Sequence, residues 1–154
     1  MGWLSQRLEE LGIVLPPAPQ AVAAYVPAVI SGKWCLTSGQ LPFLDGKLVA
    51  EGIVGDSITV KEAQEAAKQA ALNAISVAAV AAGGLDRLER VIRVEGYVQS
   101  TETFHDQPQV INGASWILQE IFQDKGRHAR LAVGTNALPL NAAVEVACIF
   151  EVRE

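Results

Sequence analysis

Positive charge is scarce in this sequence. Twelve Lys and Arg face 17 Asp and Glu, a net charge of −5, and no run of cations offsets the deficit. Nucleic acid is therefore not an expected partner, because phosphate binding needs a basic surface. Histidine and cysteine are scarcer still, two of each. His105 and His128 lie far apart and no cysteine stands at zinc-ligand spacing, so no metal site is expected. Cys35 and Cys148 sit in apolar, strand-like segments and read as small core hydrophobes of a reducing cytoplasm. The two histidines read as surface or capping residues. Long apolar runs are missing too. The least polar stretch, AALNAISVAAVAAGG, is mostly alanine and is interrupted by Asn73 and Ser76, which predicts a buried helix and no membrane span. The opening MGWLSQRLEELG carries Arg7, Glu9 and Glu10 where a secretion signal would be apolar. Gln6 occupies the position where a myristoylation signal after Gly2 needs Ser or Thr. The expected location is cytoplasmic.

What is present is apolar material. Half of the 154 residues are hydrophobic and 19% are charged, enough for a sizeable core and too apolar for disorder. One domain is expected over 1–154, with 1–20 as an N-terminal helical extension. Residues 2–12 suit a short amphipathic helix with Trp3, Leu4, Leu8 and Leu11 inward, and the prolines of LPPAPQ break it off. AVISGKWCLTSG reads as two strands about a turn at Ser31-Gly32, the second ending at Gly39, and Asp45-Gly46 reads as a hairpin turn. A long helix is predicted over 57–82, with Thr59 and Glu62 forming a capping box. Glu62, Glu65, Lys68 and Gln69 mark its wet face. Ala63, Ala66, Ala67, Ala70, Ala74, Val77 and Ala81 mark the face that lies close to a sheet. RVIRVEGYVQS follows as a strand with Ile92, Val94 and Val98 on one side. The next helix is capped by Asp106 or Gln107, has Pro108 in its first turn, buries Ile111, Ala114, Ile117, Leu118 and Ile121, and stops at Gly126. Strands, helix, strand, helix and strands make an α+β arrangement, a mixed sheet with two helices on one face.

The last segment, GRHARLAVGTNALPLNAAVEVACIFEV, reads as a strand pair joined by a loop of about six residues near Pro139. In its second strand Val144, Val146, Cys148, Phe150 and Val152 alternate inward, and Glu145, Ala147, Ile149 and Glu151 share the other face. That second face is half apolar, so it is expected to meet another subunit. In this hairpin Arg130 would lie opposite residues near 149, several positions from Glu145. The two charges would then line a shared cleft without neutralising each other. The competing reading is a satisfied surface arginine and a solvated edge glutamate.

Three segments carry a resemblance. YVPAVISGKWCLTSGQLP at 25–42, QVINGAS at 109–115 and GRHARLAVGTNALPLNAAVEV at 126–146 are similar to the YjgF/Rid family, also called the L-PSP endoribonuclease-like family. NGAS and GRHAR match its longer branch, of roughly 150 residues, with an N-terminal extension. The resemblance implies a chorismate-mutase-like (bacillus-type) fold, assembled as a homotrimer with clefts between subunits. It implies hydrolysis of enamines and imines to 2-keto acids and ammonia, with no cofactor. It places the carboxylate-binding arginine at Arg130 and the water-binding acid at Glu145. Tyr25, Ser38, Gly39 and Asn112 fall at further substrate-binding positions. Ala132 stands where the family often has cysteine, Leu131 where serine is common, and Ala147 where a second acid is frequent. These departures bear on substrate choice more than on the core chemistry.

The implied chemistry suits the residues. A guanidinium grips a carboxylate through two parallel hydrogen bonds. A nearby carboxylate orients and deprotonates the water that attacks the imine carbon. The alternative is a trimeric protein that binds small carboxylates, or imino or keto acids, for regulation without turnover. A ribonuclease is less favoured, given the acidic charge and the lack of a catalytic histidine pair.

Overall fold

The computed structural model describes residues 1–20 and 23–154. Helix α1 (Trp3–Leu11) buries Leu4 and Leu8, with Trp3 and Leu11 packed beside them. Its N-cap, Gly2, has no side chain to offer the free amides of the first turn. Asp86, far along the chain, takes that role. Its carboxylate accepts from the Gly2 amide at 3.1 Å, the Ser5 amide at 2.9 Å and the Ser5 hydroxyl. Burial pushes the Asp86 pKa up, but these donors outweigh burial and hold it below the usual carboxylate value.

Strands β1 (Ala28–Ser31) and β2 (Trp34–Thr37) pair about Gly32-Lys33, one residue beyond the expected turn, and β2 stops two residues before Gly39. The small hairpin of β3 (Phe43–Leu44) and β4 (Lys47–Leu48) turns at Asp45 and Gly46, with φ of 53° and 79°, the left-handed pair an Asp-Gly turn favours. Helix α2 (Val60–Ala82) leads to β5 (Leu88–Gln99), α3 (Gln107–Phe122), β6 (Ala129–Thr135) and β7 (Val144–Val152). The main sheet runs β1-β2-β7-β5-β6, parallel between β5 and β6 and antiparallel elsewhere.

This order corrects the expected terminal hairpin. Strands β6 and β7 do not pair; β5 lies between them and bonds to both. Arg130 sits beside Val94 on β5, and Val94 sits beside Cys148 on β7, so the guessed register opposite 149 does not exist.

Both long helices cover one face of the sheet, α2 over β2 and β7, α3 over β5 and β6. Ala63, Ala66, Ala67, Ala70 and Ala74 are fully buried, and the small side chains let α2 lie close. Thr59 caps α2 by accepting from the Glu62 amide at 3.2 Å. Gln69 was expected on the wet face but is buried, and it donates to Asn73 Oδ1 at 3.0 Å. Asn73 then donates to the Leu41 and Phe43 carbonyls, both at 3.0 Å. Ser76 donates to the Pro16 carbonyl at 2.8 Å. The polar residues that interrupt the alanine run thus tie down the N-terminal extension and the loop after β2, in keeping with the pairing that buried polar groups need.

On α3 the expected stripe is buried, but the helix ends at Phe122 and a 3₁₀ turn, Gln123–Gly126, follows it. A side chain on Gly113 would meet the Gln64 carbonyl oxygen of α2 at 2.1 Å. One on Gly96 would meet Ile111 at 2.5 Å. The two glycines let α3 settle against both α2 and β5. On β5 a register shift between Val91 and Arg93 changes the parity, so Val91, not Ile92, joins Val94 and Val98 in the core. On β7 the alternation holds: Val144, Val146, Cys148, Phe150 and Val152 are buried, and the four residues between them are half-buried. The sheet face turned away from the helices adds Trp34, Leu36 and Val133, which are 50%, 42% and 37% exposed.

Candidate functional site

Arg130 lies in β6, an edge strand, in the row of Val94, and therefore points to the helix side of the sheet. There α3 presents Asn112 and Ser115, three residues apart and so on one helix face. Arg130 Nη1 donates to Asn112 Oδ1 at 2.8 Å and to Ser115 Oγ at 3.2 Å. Among the described residues, Nε and Nη2 donate to nothing and no carboxylate forms an ion pair with the guanidinium. One edge of the fork is held, and the other is open.

Glu145 is the antiparallel partner of Tyr97 on β5, on the opposite face of the sheet. Its carboxylate packs on Gly39: a Cβ there would lie 2.6 Å from Glu145 Oε2. Burial raises the Glu145 pKa above the usual carboxylate value. Ser38 precedes this contact, and its hydroxyl donates to the Val26 carbonyl at 2.7 Å while its amide bonds to the Pro27 carbonyl at 2.8 Å. The Ser38 hydrogen therefore holds the entry to β1. Tyr25 is 57% exposed. It shares with Gly39 the wall of a cavity of about 670 Å³, also lined by Pro16, Pro17, Phe43 and Leu72. Neither Arg130 nor Glu145 lines that cavity.

The six candidate residues thus fall into two groups. Asn112 joins Arg130 on the helix side; Gly39 meets Glu145, with Ser38 next to it in the chain and Tyr25 on the cavity wall that Gly39 shares. In one chain the two charges are separated by two strand spacings and three positions, ~14 Å at the backbone, on opposite faces. They form no ion pair, and a single chain does not put both on one ligand.

A model of the family described as "YjgF/chorismate_mutase-like, putative endoribonuclease" matches residues 5–152. The chain belongs to this YjgF family. It is 42% identical to Protein TCP17 of Trypanosoma cruzi over 153 residues, 99% of this chain and 96% of that one. The crystal structure of Atu1372 from Agrobacterium tumefaciens, a protein of unknown function, superposes with a TM-score of 0.88 at 44% identity, covering 97% of this chain and 92% of that one. A protein from Shewanella oneidensis, named as a putative endoribonuclease, superposes at 0.91 with 36% identity, covering 97% and 99%. The fold is therefore the chorismate-mutase-like α+β fold of the YjgF family.

Two polar residues of this YjgF chain, Ser115 and His128, were not among the expected site residues. Ser115 is buried at 6% exposure, and its Oγ lies 2.9 Å from His128 Nε2. His128 Nδ1 lies 2.6 Å from the Gly126 carbonyl oxygen. The histidine is half-buried behind the arginine and bonds the carbonyl that ends the 3₁₀ turn, so it caps that turn and is not a surface residue. The signal was available in the spacing: Asn112 and Ser115 three apart on a helix, and His128 two residues before Arg130, just ahead of β6. His105 is exposed. Cys35 and Cys148 are buried free thiols, and burial pushes their pKa values up to about 11 and about 12. Among the described residues, no group of three or more His, Cys, Asp or Glu is placed to hold a metal ion, and no helix is long and apolar enough to cross a membrane.

Proposed function

We propose that this chain hydrolyses 2-imino acids to 2-keto acids and ammonia, in clefts shared between the subunits of a homotrimer. The carrying observation is Arg130: one guanidinium edge is anchored on Asn112 and Ser115, and among the described residues Nε and Nη2 make no hydrogen bond and no carboxylate pairs with it. That geometry is what a ligand carboxylate needs for a two-point grip.

The reaction adds water across the C=N bond. The water oxygen attacks the imine carbon, and Glu145 takes the proton that the water loses. Glu145 passes that proton on to the imine nitrogen as the carbon becomes tetrahedral, which restores the carboxylate. The carbinolamine hydroxyl then gives its proton to the amine nitrogen as the C–N bond breaks, releasing ammonia and leaving the keto acid. Burial raises the Glu145 pKa toward the working pH, which favours such a base. A carboxylate-binding protein without turnover needs only the arginine; the half-buried acid beside Gly39 favours hydrolysis.

The homotrimer rests on two supports. Arg130 and Glu145 occupy opposite faces of one sheet, so a shared cleft needs a second chain. The helix-free face also exposes Trp34, Leu36 and Val133. An amino-acid oxidase that releases 2-imino acids in situ provides the test. The chain is expected to speed keto-acid release, and Arg130→Ala to abolish the acceleration. Keto-acid binding with no acceleration would instead assign the non-catalytic role.

A further inference from the structure

Behind Arg130 a chain of polar groups runs inward through Ser115 and His128 to the Gly126 carbonyl. We propose that Ser115 and His128 are positioning residues that lock the Arg130 fork so that its open edge meets the substrate carboxylate. This rests on the reading of Arg130 as the carboxylate grip.

The chain has one hydrogen-bonding sense. Gly126 offers a carbonyl oxygen, which only accepts, so His128 Nδ1 carries the hydrogen across the 2.6 Å contact. A neutral ring then has a bare Nε2. Ser115 fills it, turning its hydroxyl hydrogen toward the ring at 2.9 Å and a lone pair toward Arg130 Nη1 at 3.2 Å. Asn112 Oδ1, at 2.8 Å, takes the remaining direction. Burial, reinforced by the Arg130 charge and opposed by the Gly126 contact, holds the His128 pKa below its ordinary value and keeps the ring neutral.

The far end is fixed as well. Gly126 is buried at the end of its 3₁₀ turn, and a Cβ on it would lie 2.6 Å from the Leu118 carbonyl oxygen. The carbonyl that orients the ring is therefore seated on α3, the helix that carries Ser115 and Asn112. An arginine pays for immobilisation when it binds. Fixing one edge beforehand removes that cost, and the preorganisation appears as affinity for the carboxylate.

The test uses 2-oxobutanoate, titrated calorimetrically into the full chain. Ser115→Ala and His128→Asn should each weaken binding by roughly 2- to 12-fold, the cost of one re-immobilised side chain. Asn keeps a donor for Gly126 but cannot reach Ser115. His128→Gln places an amide oxygen near the Nε2 position and should restore affinity. That rescue separates positioning from a merely structural role, which both His128 variants would impair alike. Equal affinities for His128→Gln and His128→Asn would overturn the proposal. So would wild-type affinity in Ser115→Ala while Arg130→Ala loses binding. If Arg130→Ala binds as tightly as wild type, the carboxylate reading itself fails. Should Ser115→Ala not fold, the two His128 variants decide.

Discussion

Arg130 is the residue on which the proposed chemistry turns, and its surroundings predict what its loss does. Arg130→Ala should remove carboxylate binding and turnover, at a cost of roughly 2–5 kcal/mol by analogy with truncated charge pairs. Arg130→Lys should recover little, because a point charge does not reproduce a two-point grip. Titration with 2-oxobutanoate checks both. Glu145→Gln separates catalysis from binding. Turnover should fall about 10²–10⁴-fold, while keto-acid affinity holds or rises as a nearby negative charge is removed. Parallel loss of both would make Glu145 a support for the ligand and not the base. The same two sites give stability a pH signature. The unfolded His128 ring titrates near 6.5 and the folded ring lower, because burial disfavours the charged form. Between those values the unfolded chain binds the extra proton, so stability falls as pH drops below about 6.5. Glu145 acts oppositely. Its folded pKa lies above the ordinary 4.5, so the folded chain binds the extra proton and stability rises as pH falls through that window. Urea titrations over pH 4 to 8 should lose the first slope in His128→Gln and the second in Glu145→Gln.

At the scale of elements, the glycine contacts set the site. Gly113 carries no side chain because α2 leaves none room, the Gln64 carbonyl oxygen lying 2.1 Å from where a Cβ would stand. Gly113→Ala must push α3 away from α2 and shift Asn112 and Ser115 with it. About 1–3 kcal/mol of destabilisation is expected from such overpacking, together with weaker keto-acid binding. Unfolding in urea measures the first and calorimetry the second; an unchanged midpoint would show that the interface yields without cost. Local chemistry made much of this scale legible in advance. The Thr59 cap, the Asp45-Gly46 turn and the α3 stripe rest on residues a few positions apart, and all three stand. Strand order was not legible, because inserting β5 between β6 and β7 depends on contacts distant in sequence. The same holds for Asp86 as the cap of α1. Ile92 misled for a subtler reason: one irregular pairing in β5 reverses the alternation that the sequence reading extended through it. Gln69 misled because its partner, Asn73, sits one helical turn away and makes burial affordable.

At the scale of the whole molecule, the account depends on assembly. One chain holds Arg130 on the helix side of its sheet and Glu145 on the other, ~14 Å apart along the backbone. The arginine stood out as a candidate from its motif, but that separation was not legible, since it follows from β5 standing between the two strands. The proposed homotrimer, in which each cleft takes Arg130 from one subunit and Glu145 from the next, would resolve the separation. Sedimentation at micromolar concentration should give three times the 16.4 kDa chain mass. The most direct measurement is complementation. Arg130→Ala and Glu145→Gln chains, each inactive alone, are unfolded together in equal amounts, refolded and assayed for keto-acid release. If every cleft draws on two chains, random mixing leaves about one cleft in four with both residues intact, and roughly a quarter of wild-type activity returns. If both residues act within one chain, the mixed trimers stay as inactive as the pure variants, and the shared cleft is contradicted.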